Sequence, residues 1–236
     1  MKNQIQALLT YFTIGERILW SLSVLLITAS FFLFDRANYL TLAASLIGVT
    51  SLIFNAKGNP FGQALIIVFS ILYGIISYSF AYYGEMITYL GMTGPMAAFA
   101  LVSWLKNPYN GKRSEVKVNH LSRKEILFLC VLTTAVTVGF CFILKALGKA
   151  NLIPSTISVT TSFLAVYLTF RRSACFALGY AANDIVLIVL WIMATVKNIS
   201  YLSVVICFAV FLVNDLYGFI SWAKMKERQN AAKEPK

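Results

Sequence analysis

The sequence is short of charge and of histidine. Only 12% of its 236 residues are charged, about half the share found in soluble domains, whereas 59% are hydrophobic. This composition excludes a soluble globular protein. The single histidine, His120, stands in a charged loop and leaves no cluster from which the protein could build a metal site. We therefore expect neither a metal nor a cofactor.

Paired cysteines and familiar catalytic motifs are also missing. Cys130, Cys141, Cys175 and Cys207 lie singly in apolar runs without CxxC spacing, which is typical of small buried hydrophobic residues. With one histidine, in a loop, the chain offers neither a Ser/His pair nor an HExxH motif. These absences argue against an enzyme.

What the sequence has instead is long apolar runs. Each approaches the ~20 residues that a helix needs to cross a ~30 Å hydrocarbon core. The sequence therefore predicts an all-α membrane protein with eight transmembrane helices. Residues 1–34 contain no convincing cleavage site, so the first run is expected to stay as a span, preceded by an amphipathic surface helix over 3–14. The predicted spans are 18–34, 39–56, 61–83, 86–105, 126–147, 155–170, 174–196 and 200–223.

The distribution of the basic residues behind the net charge of +11 is explained by orientation in a membrane rather than by binding to a nucleic acid. With the amino terminus in the cytoplasm and eight alternating spans, only Arg36, Lys145, Lys149 and Lys197 face outside, and the other sixteen of the twenty Lys and Arg residues face inside. This bias obeys the positive-inside rule. It predicts a multi-pass protein of the bilayer with both termini in the cytoplasm, and no nucleic-acid partner.

A short motif recurs at a spacing of 118 residues. LVSWLK (101–106) closes the fourth span and FISWAK (219–224) closes the eighth. Each motif ends a group of three spans, and the single span between the groups makes the two groups parallel in the membrane. We therefore predict one extra amino-terminal helix and a 3+1+3 core. Trp104 and Trp222, each two residues before a lysine, are predicted to be anchors at the membrane surface. The expected divisions are 1–36, 37–109, 110–150, 151–224 and 225–236.

A polar pair is repeated inside the second group of spans. NDIVLIVLW (183–191) and NDLYGFISW (214–222) both place Asn-Asp within apolar surroundings, where a carboxylate costs at least ~2.5 kcal/mol. One interpretation is that these groups tie helices together by hydrogen bonds. The other is a solute site near mid-membrane, and for two such pairs we favour it. Its candidate residues in this group are Asn183, Asp184, Asn214, Asp215, Tyr217 and Trp191.

The first group of spans adds aromatic and hydroxyl side chains but no intramembrane charge at the equivalent positions. An aromatic face with a nearby carboxylate suits a flat cationic ring, and amides suit hydroxyl groups. These residue types fit a nucleoside-like molecule without singling it out. The further candidate binding residues are Gln63, Tyr73, Tyr89 and Thr93, and the candidate flexible points are Gly91, Gly94 and Pro95.

Three runs resemble one family closely. Residues 85–109, GYAANDIVLIVLW (179–191) and FLVNDLYGFISW (211–222) are similar to the PnuC family of bacterial nicotinamide riboside transporters. The resemblance implies a SWEET-like fold in a homotrimer of the bacterial inner membrane, and facilitated diffusion of nicotinamide riboside that a separate cytoplasmic kinase traps. It carries functional positions over to Asn183, Asp184, Asn214, Asp215, Tyr217 and Thr93, which lie within these runs.

Other functions remain open from the sequence. Members of this family for thiamine and riboflavin exist, and uptake coupled to protons through Asp184 or Asp215 is compatible with the residues. A more distant alternative is an intramembrane aspartyl protease, because two Asp residues lie on neighbouring helices. Such proteases carry Gly-x-Gly-Asp and Tyr-Asp motifs, whereas this chain has Ala-Asn-Asp and Val-Asn-Asp.

Overall fold

A computed structural model of the chain describes residues 10–79, 83–148 and 151–232. Its described part contains eight helices long and apolar enough to cross a membrane, as the apolar runs predict. In hydrocarbon each backbone N–H and C=O group needs an internal partner, which an α-helix supplies. The helices are α1 (Ile14–Phe34), α2 (Tyr39–Ala56), α3 (Phe61–Ser79), α4 (Tyr83–Leu105), α5 (Arg123–Ala146), α6 (Leu152–Phe170), α7 (Phe176–Thr195) and α8 (Leu202–Ala231).

Two helices begin earlier than their apolar runs because polar capping boxes start them. The Thr13 hydroxyl accepts the Glu16 N–H while the Glu16 carboxylate accepts the Thr13 N–H. Ser122 and Glu125 do the same at the start of α5. Each box pairs two backbone donors that the first turn leaves open. Residues 3–9 of the predicted surface helix lie outside the described residues.

The central part of the fold is a ring of six helices. Along the ring α2 packs on α3, α3 on α4, α4 on α6, α6 on α7, α7 on α8, and α8 on α2. The last helix of each predicted group of three thus contacts the first helix of the other group. Outside the ring, α1 packs against α8 and α2, and α5 packs against α6.

Trp104 and Trp222 correct one sequence prediction. Both side chains have no exposed surface, so they are not anchors at the membrane surface. Their rings lie 5.3 Å apart. Trp104 Nε1 donates to the Thr169 carbonyl at 2.9 Å and Trp222 Nε1 to the Asn55 carbonyl at 2.7 Å. Each indole therefore joins the end of one group of three helices to the first helix of the other.

The charged segment between α4 and α5 is folded rather than a plain loop. It forms an antiparallel hairpin of β1 (Pro108–Tyr109) and β2 (Lys112–Val116). Val116 is fully buried and donates its N–H to the Gly58 carbonyl, while the Val118 N–H donates to Gln229 Oε1. Helix α8 continues to Ala231 and so reaches this hairpin. We call this end of the bundle, with Lys57, the hairpin and residues 223–232, the basic end.

Candidate functional site

A cavity of about 550 Å³ lies at the end of the bundle opposite the basic end. It is formed by the first turn of α4, the ends of α5 and α7, the start of α6 and the turn before α8. Its volume is within the ~300–1,000 Å³ range of small-molecule sites. Its polar lining includes Glu85, Asn151, Ser155, Trp191 and Tyr201.

An aromatic cluster lies next to this cavity, which two of its members, Trp191 and Tyr201, line. The rings of Tyr73 and Tyr89 are 4.4 Å apart, the Tyr73 hydroxyl lies beside the Trp191 indole, and Trp191 packs 5.4 Å from the ring of Tyr201. Helices α3, α4 and α7 therefore bring together three predicted site residues, Tyr73, Tyr89 and Trp191. Their faces carry partial negative charge that attracts a cation.

The two predicted carboxyl groups meet inside the bundle. Asp184 and Asp215 are 4% and 5% exposed, and their carboxyl groups are within hydrogen-bonding range of each other. Tyr89 and Tyr180 lie close enough to Asp184 to interact with its charge. No described hydroxyl or N–H group donates to Asp184 Oδ2. This oxygen is thus an acceptor that a bound solute with a cationic ring or hydroxyl groups could use.

The two asparagines beside these carboxylates face other helices. Asn183 Oδ1 accepts from the Ser158 and Thr161 hydroxyls of α6, at 3.0 and 3.1 Å. Asn214 Nδ2 donates to Ser23 Oγ of α1 at 2.9 Å and to the Val210 carbonyl. Both amides therefore tie helices together. Asn214 Oδ1 is buried and has no hydrogen-bond partner among the described residues.

Tyr217 and Gln63 lie away from the aromatic cluster, toward the basic end. The Tyr217 hydroxyl donates to Glu16 Oε1 at 3.0 Å, and Glu16 also forms an ion pair with Lys57 at 3.0 Å. Gln63 is 1% exposed and its Nε2 donates to Asn55 Oδ1 at 2.8 Å. The structure therefore does not bring these two predicted site residues next to Trp191 or Tyr89.

Thr93 ends a π-helical turn in the middle of α4, Tyr89–Thr93. Such turns insert an extra residue into a helix and are frequent at functional sites. The turn includes Gly91 and is followed at once by Gly94 and Pro95, so all three predicted flexible points lie in or beside it. Buried Thr93 and half-buried Tyr89 both take their positions from this turn.

Glu85 is a functional candidate that the sequence analysis did not select. It lines the large cavity and also a narrow extension of about 10 Å³ that reaches Tyr89 and Ser158, and its charge acts on Tyr73 and Tyr89. The signal was present, because a carboxylate at the start of an apolar run is itself unusual. Ser158, Thr161 and Tyr180 gave no such signal, since hydroxyls are common in membrane helices.

Metal or cofactor ligands are not gathered in the described part of the chain. No group of three or more His, Cys, Asp or Glu residues there could hold a metal ion. The four cysteines are free.

Eight helices able to span a membrane, buried acidic and aromatic groups between them and a cavity at one end are together typical of a multi-pass membrane transporter. Comparison with known proteins agrees. The family model described as Nicotinamide mononucleotide transporter matches residues 38–224, and the chain belongs to this family. It is therefore a transporter rather than an enzyme, and the protease alternative is wrong.

Three relatives show how far the similarity extends. The nicotinamide riboside transporter PnuC of Neisseria mucosa is 28% identical, over 89% of this chain and 82% of that protein. The PnuC of Haemophilus influenzae is 24% identical, over 82% of this chain and 83% of that protein. A crystal structure of the vitamin B3 transporter PnuC superposes with a TM-score of 0.80, covering 92% of this chain and 94% of that one at 24% identity. The resemblance to the PnuC family is confirmed, and so is the all-helical membrane fold.

Proposed function

We propose that the chain takes up nicotinamide riboside by facilitated diffusion. The observation that carries this proposal is the acid pair of Asp184 and Asp215, which lies close to Tyr89 of the aromatic cluster. Nicotinamide riboside joins a flat pyridinium cation to a ribose. Aromatic faces and a carboxylate attract the cation, and the two PnuC relatives are named for the same substrate.

The charge pattern favours the riboside over the mononucleotide in the family description. Between them, the described ring helices up to Ala223 contain three carboxylates, Glu85, Asp184 and Asp215, and no Lys or Arg. Lys197 lines the large cavity, but it lies outside the ring helices. A phosphate group beside Asp184 and Asp215 would therefore face carboxylates without a cation on those helices, which is costly in a low-dielectric interior. The same carboxylates attract a cationic solute. Glu85 would be the first carboxylate that it encounters from the large cavity.

The proposed transport cycle is alternating access between two parallel groups of three helices, in a 3+1+3 core with α1 added. The reciprocal bonds of Trp104 and Trp222 support this division, because each group contributes an indole to the other. The same two indoles close the path below the acid pair. The π turn of α4, with Gly94 and Pro95, is the proposed flexible point. Both termini are proposed to face the bacterial cytoplasm, and the protein is proposed to form a homotrimer. A separate kinase in the cytoplasm would trap the solute.

Proton-coupled uptake is a second candidate mechanism, and one observation favours it. Two bare carboxylates at hydrogen-bonding distance repel each other, so contact between Asp184 and Asp215 calls for a proton between them. A cationic solute could displace that proton on binding. Thiamine, also a cation, and riboflavin are alternative solutes for the same site.

The test is calorimetric titration of the purified protein with nicotinamide riboside, its mononucleotide, thiamine and riboflavin. We expect the riboside to bind and Asp184→Asn to weaken it about tenfold or more, since a buried charge-assisted contact is lost. Asp35→Asn is the matched control. Asp35 is the only other aspartate, and it is buried near the end of α1, where it accepts from Asn38 Nδ2. Tight binding of another solute, or equal affinity in both variants, would contradict the proposal.

A further inference from the structure

A second cavity, of about 300 Å³, lies at the basic end of the bundle. It is bounded by the segment before α1, the turn between α2 and α3, strand β2 and helix α8. Neither the acid pair nor the aromatic cluster lines it. The proposed transport path therefore does not account for this cavity.

Three cations from two parts of the chain line this second cavity. Lys57 lies in the turn after α2, and Lys224 and Arg228 lie on α8. Glu115 of β2 is the one carboxylate in the lining, and it pairs with Arg228. Lys224 is exposed and forms no ion pair with another described residue. Lys57 pairs with the buried Glu16 just outside the lining. Three cations therefore stand against two carboxylates, and Lys224 supplies the excess positive charge.

The face of α8 toward this cavity presents its polar groups in one stripe. Tyr217, Ser221, Lys224 and Arg228 recur every three to four residues, so they lie above one another on the helix surface. Across from them, Lys57 Nζ is held 4.8 Å from the centre of the Tyr11 ring. Burial raises the pKa of the Tyr11 phenol. The phenol therefore remains neutral at physiological pH and does not repel an anion.

We propose that this second cavity binds a phosphate group, with Lys57, Lys224 and Arg228 as its cationic ligands and Ser221 as a hydroxyl donor. A phosphate offers several acceptor oxygens and up to two negative charges, so it can engage three cations at once. The phosphate is that of a soluble phosphomonoester or of an anionic phospholipid, because basic pockets at helix ends bind both kinds of head group. The proposal depends on neither the transported solute nor its coupling.

A phosphate bound in the cavity would connect the two proposed groups of three helices. Lys57 belongs to the first proposed group of three helices and Lys224 to the second. A phosphate bound by both would add a link beside the existing contact of Lys57, Glu16 and Tyr217. It would hold the basic end closed.

The experiment uses the full-length protein in nanodiscs of phosphatidylcholine, titrated with inorganic phosphate and with a nucleoside monophosphate. A second arm uses nanodiscs that contain phosphatidylglycerol, with retained lipid counted by native mass spectrometry. Lys224→Gln is compared with Lys226→Gln, which removes the same charge two residues along α8 but outside the lining. Glu115→Gln removes the one lining carboxylate.

We expect saturable binding in one arm, which identifies the source of the phosphate. Lys224→Gln should weaken it about fivefold, Lys226→Gln should leave it unchanged, and Glu115→Gln should tighten it. No saturable binding in either arm, or equal losses in both lysine variants, would overturn the proposal. Riboside binding by Lys224→Gln reports that this variant is folded. Failure of riboside binding in the wild type, with anion binding intact, would overturn only the proposed transport function.

Discussion

At the scale of single residues, each Asn-Asp pair divides two tasks between neighbours. Successive side chains on a helix point about 100° apart. Asn183 therefore faces α6 and Asn214 faces α1, while Asp184 and Asp215 face each other. The two interpretations of the repeated pair are thus compatible: the amides hold helices together, while the carboxylates form the proposed solute site.

The contact of Asn214 with Ser23 yields a stability prediction. Ser23→Ala removes the hydroxyl that accepts from Asn214 Nδ2, and interhelical hydrogen bonds in membranes contribute about 0.6 kcal/mol on average. We expect a slightly lower unfolding temperature and unchanged riboside affinity. Thermal unfolding and calorimetry of Ser23→Ala, Asn214→Ala and the double variant measure this coupling. Loss of affinity in Ser23→Ala would place that hydroxyl in the solute site instead.

Trp222 yields a second prediction at this scale. Trp222→Phe deletes part of a fully buried ring and its hydrogen bond to the Asn55 carbonyl, so we expect a loss of about 1–2 kcal/mol. In a chain of this length that lowers the melting temperature by about 2–4 °C per kcal/mol. Trp20→Phe is the control, because Trp20 is 39% exposed although it also donates a hydrogen bond. Equal shifts in both variants would contradict the central role of Trp222.

The sequence predicted the chemical types of the central residues better than their directions. The acid pair is expected from its cost in an apolar run, and the three aromatic residues are expected because their faces suit a cationic ring. The structure brings the two sets together. Tyr217 is predicted in the site from its position three residues beyond Asn214 and from the family resemblance, yet it contacts Glu16. That contact depends on where α1 packs, which no pattern in α8 encodes. Trp104 and Trp222 stand beside lysines, as surface anchors do, but their burial depends on the opposite helices.

At the scale of elements, hydropathy predicted all eight helices but not their irregularities. Mean apolarity over about 20 residues suffices to identify a span. The π turn of α4 depends on a single inserted residue, which barely changes such an average. The hairpin at 108–116 was also missed, because its strands are short and charged, and Val116 is its buried apolar residue.

The geometry of the π turn predicts different effects of alanine substitution at Gly94 and at Gly91. A Cβ atom at Gly94 would lie 3.2 Å from the Tyr89 carbonyl oxygen, whereas one at Gly91 would meet nothing nearer than 3.8 Å. Gly94→Ala therefore strains the turn by on the order of 1 kcal/mol, and we expect about fivefold slower transport. Gly91→Ala should transport normally. Uptake of labelled riboside into proteoliposomes measures both, and equal rates would show that the turn tolerates the strain.

At the scale of the whole molecule, the contacts around the ring support the proposed alternating-access mechanism. Each group of three helices touches the other at both of its ends, through α4 with α6 and α8 with α2. The indoles of Trp104 and Trp222 join the groups on the side of the acid pair toward the basic end, while the large cavity is on the other side. A site between two such groups can be reached from one side at a time, which is what alternating access needs.

Uptake measurements in proteoliposomes can decide whether a proton gradient drives riboside transport. A uniporter brings its solute to electrochemical equilibrium and no further, since it has no second gradient to use. For a cation at zero membrane potential this means equal concentrations on the two sides. We therefore expect internal riboside to rise only to the external concentration, with a rate that a protonophore leaves unchanged apart from the effect of membrane potential on a cation. Clamping the potential at zero with potassium and valinomycin removes that effect. If an inward proton gradient then still drives accumulation, and Asp215→Asn abolishes it, the proton between Asp184 and Asp215 is a coupling ion, and facilitated diffusion is the wrong mechanism.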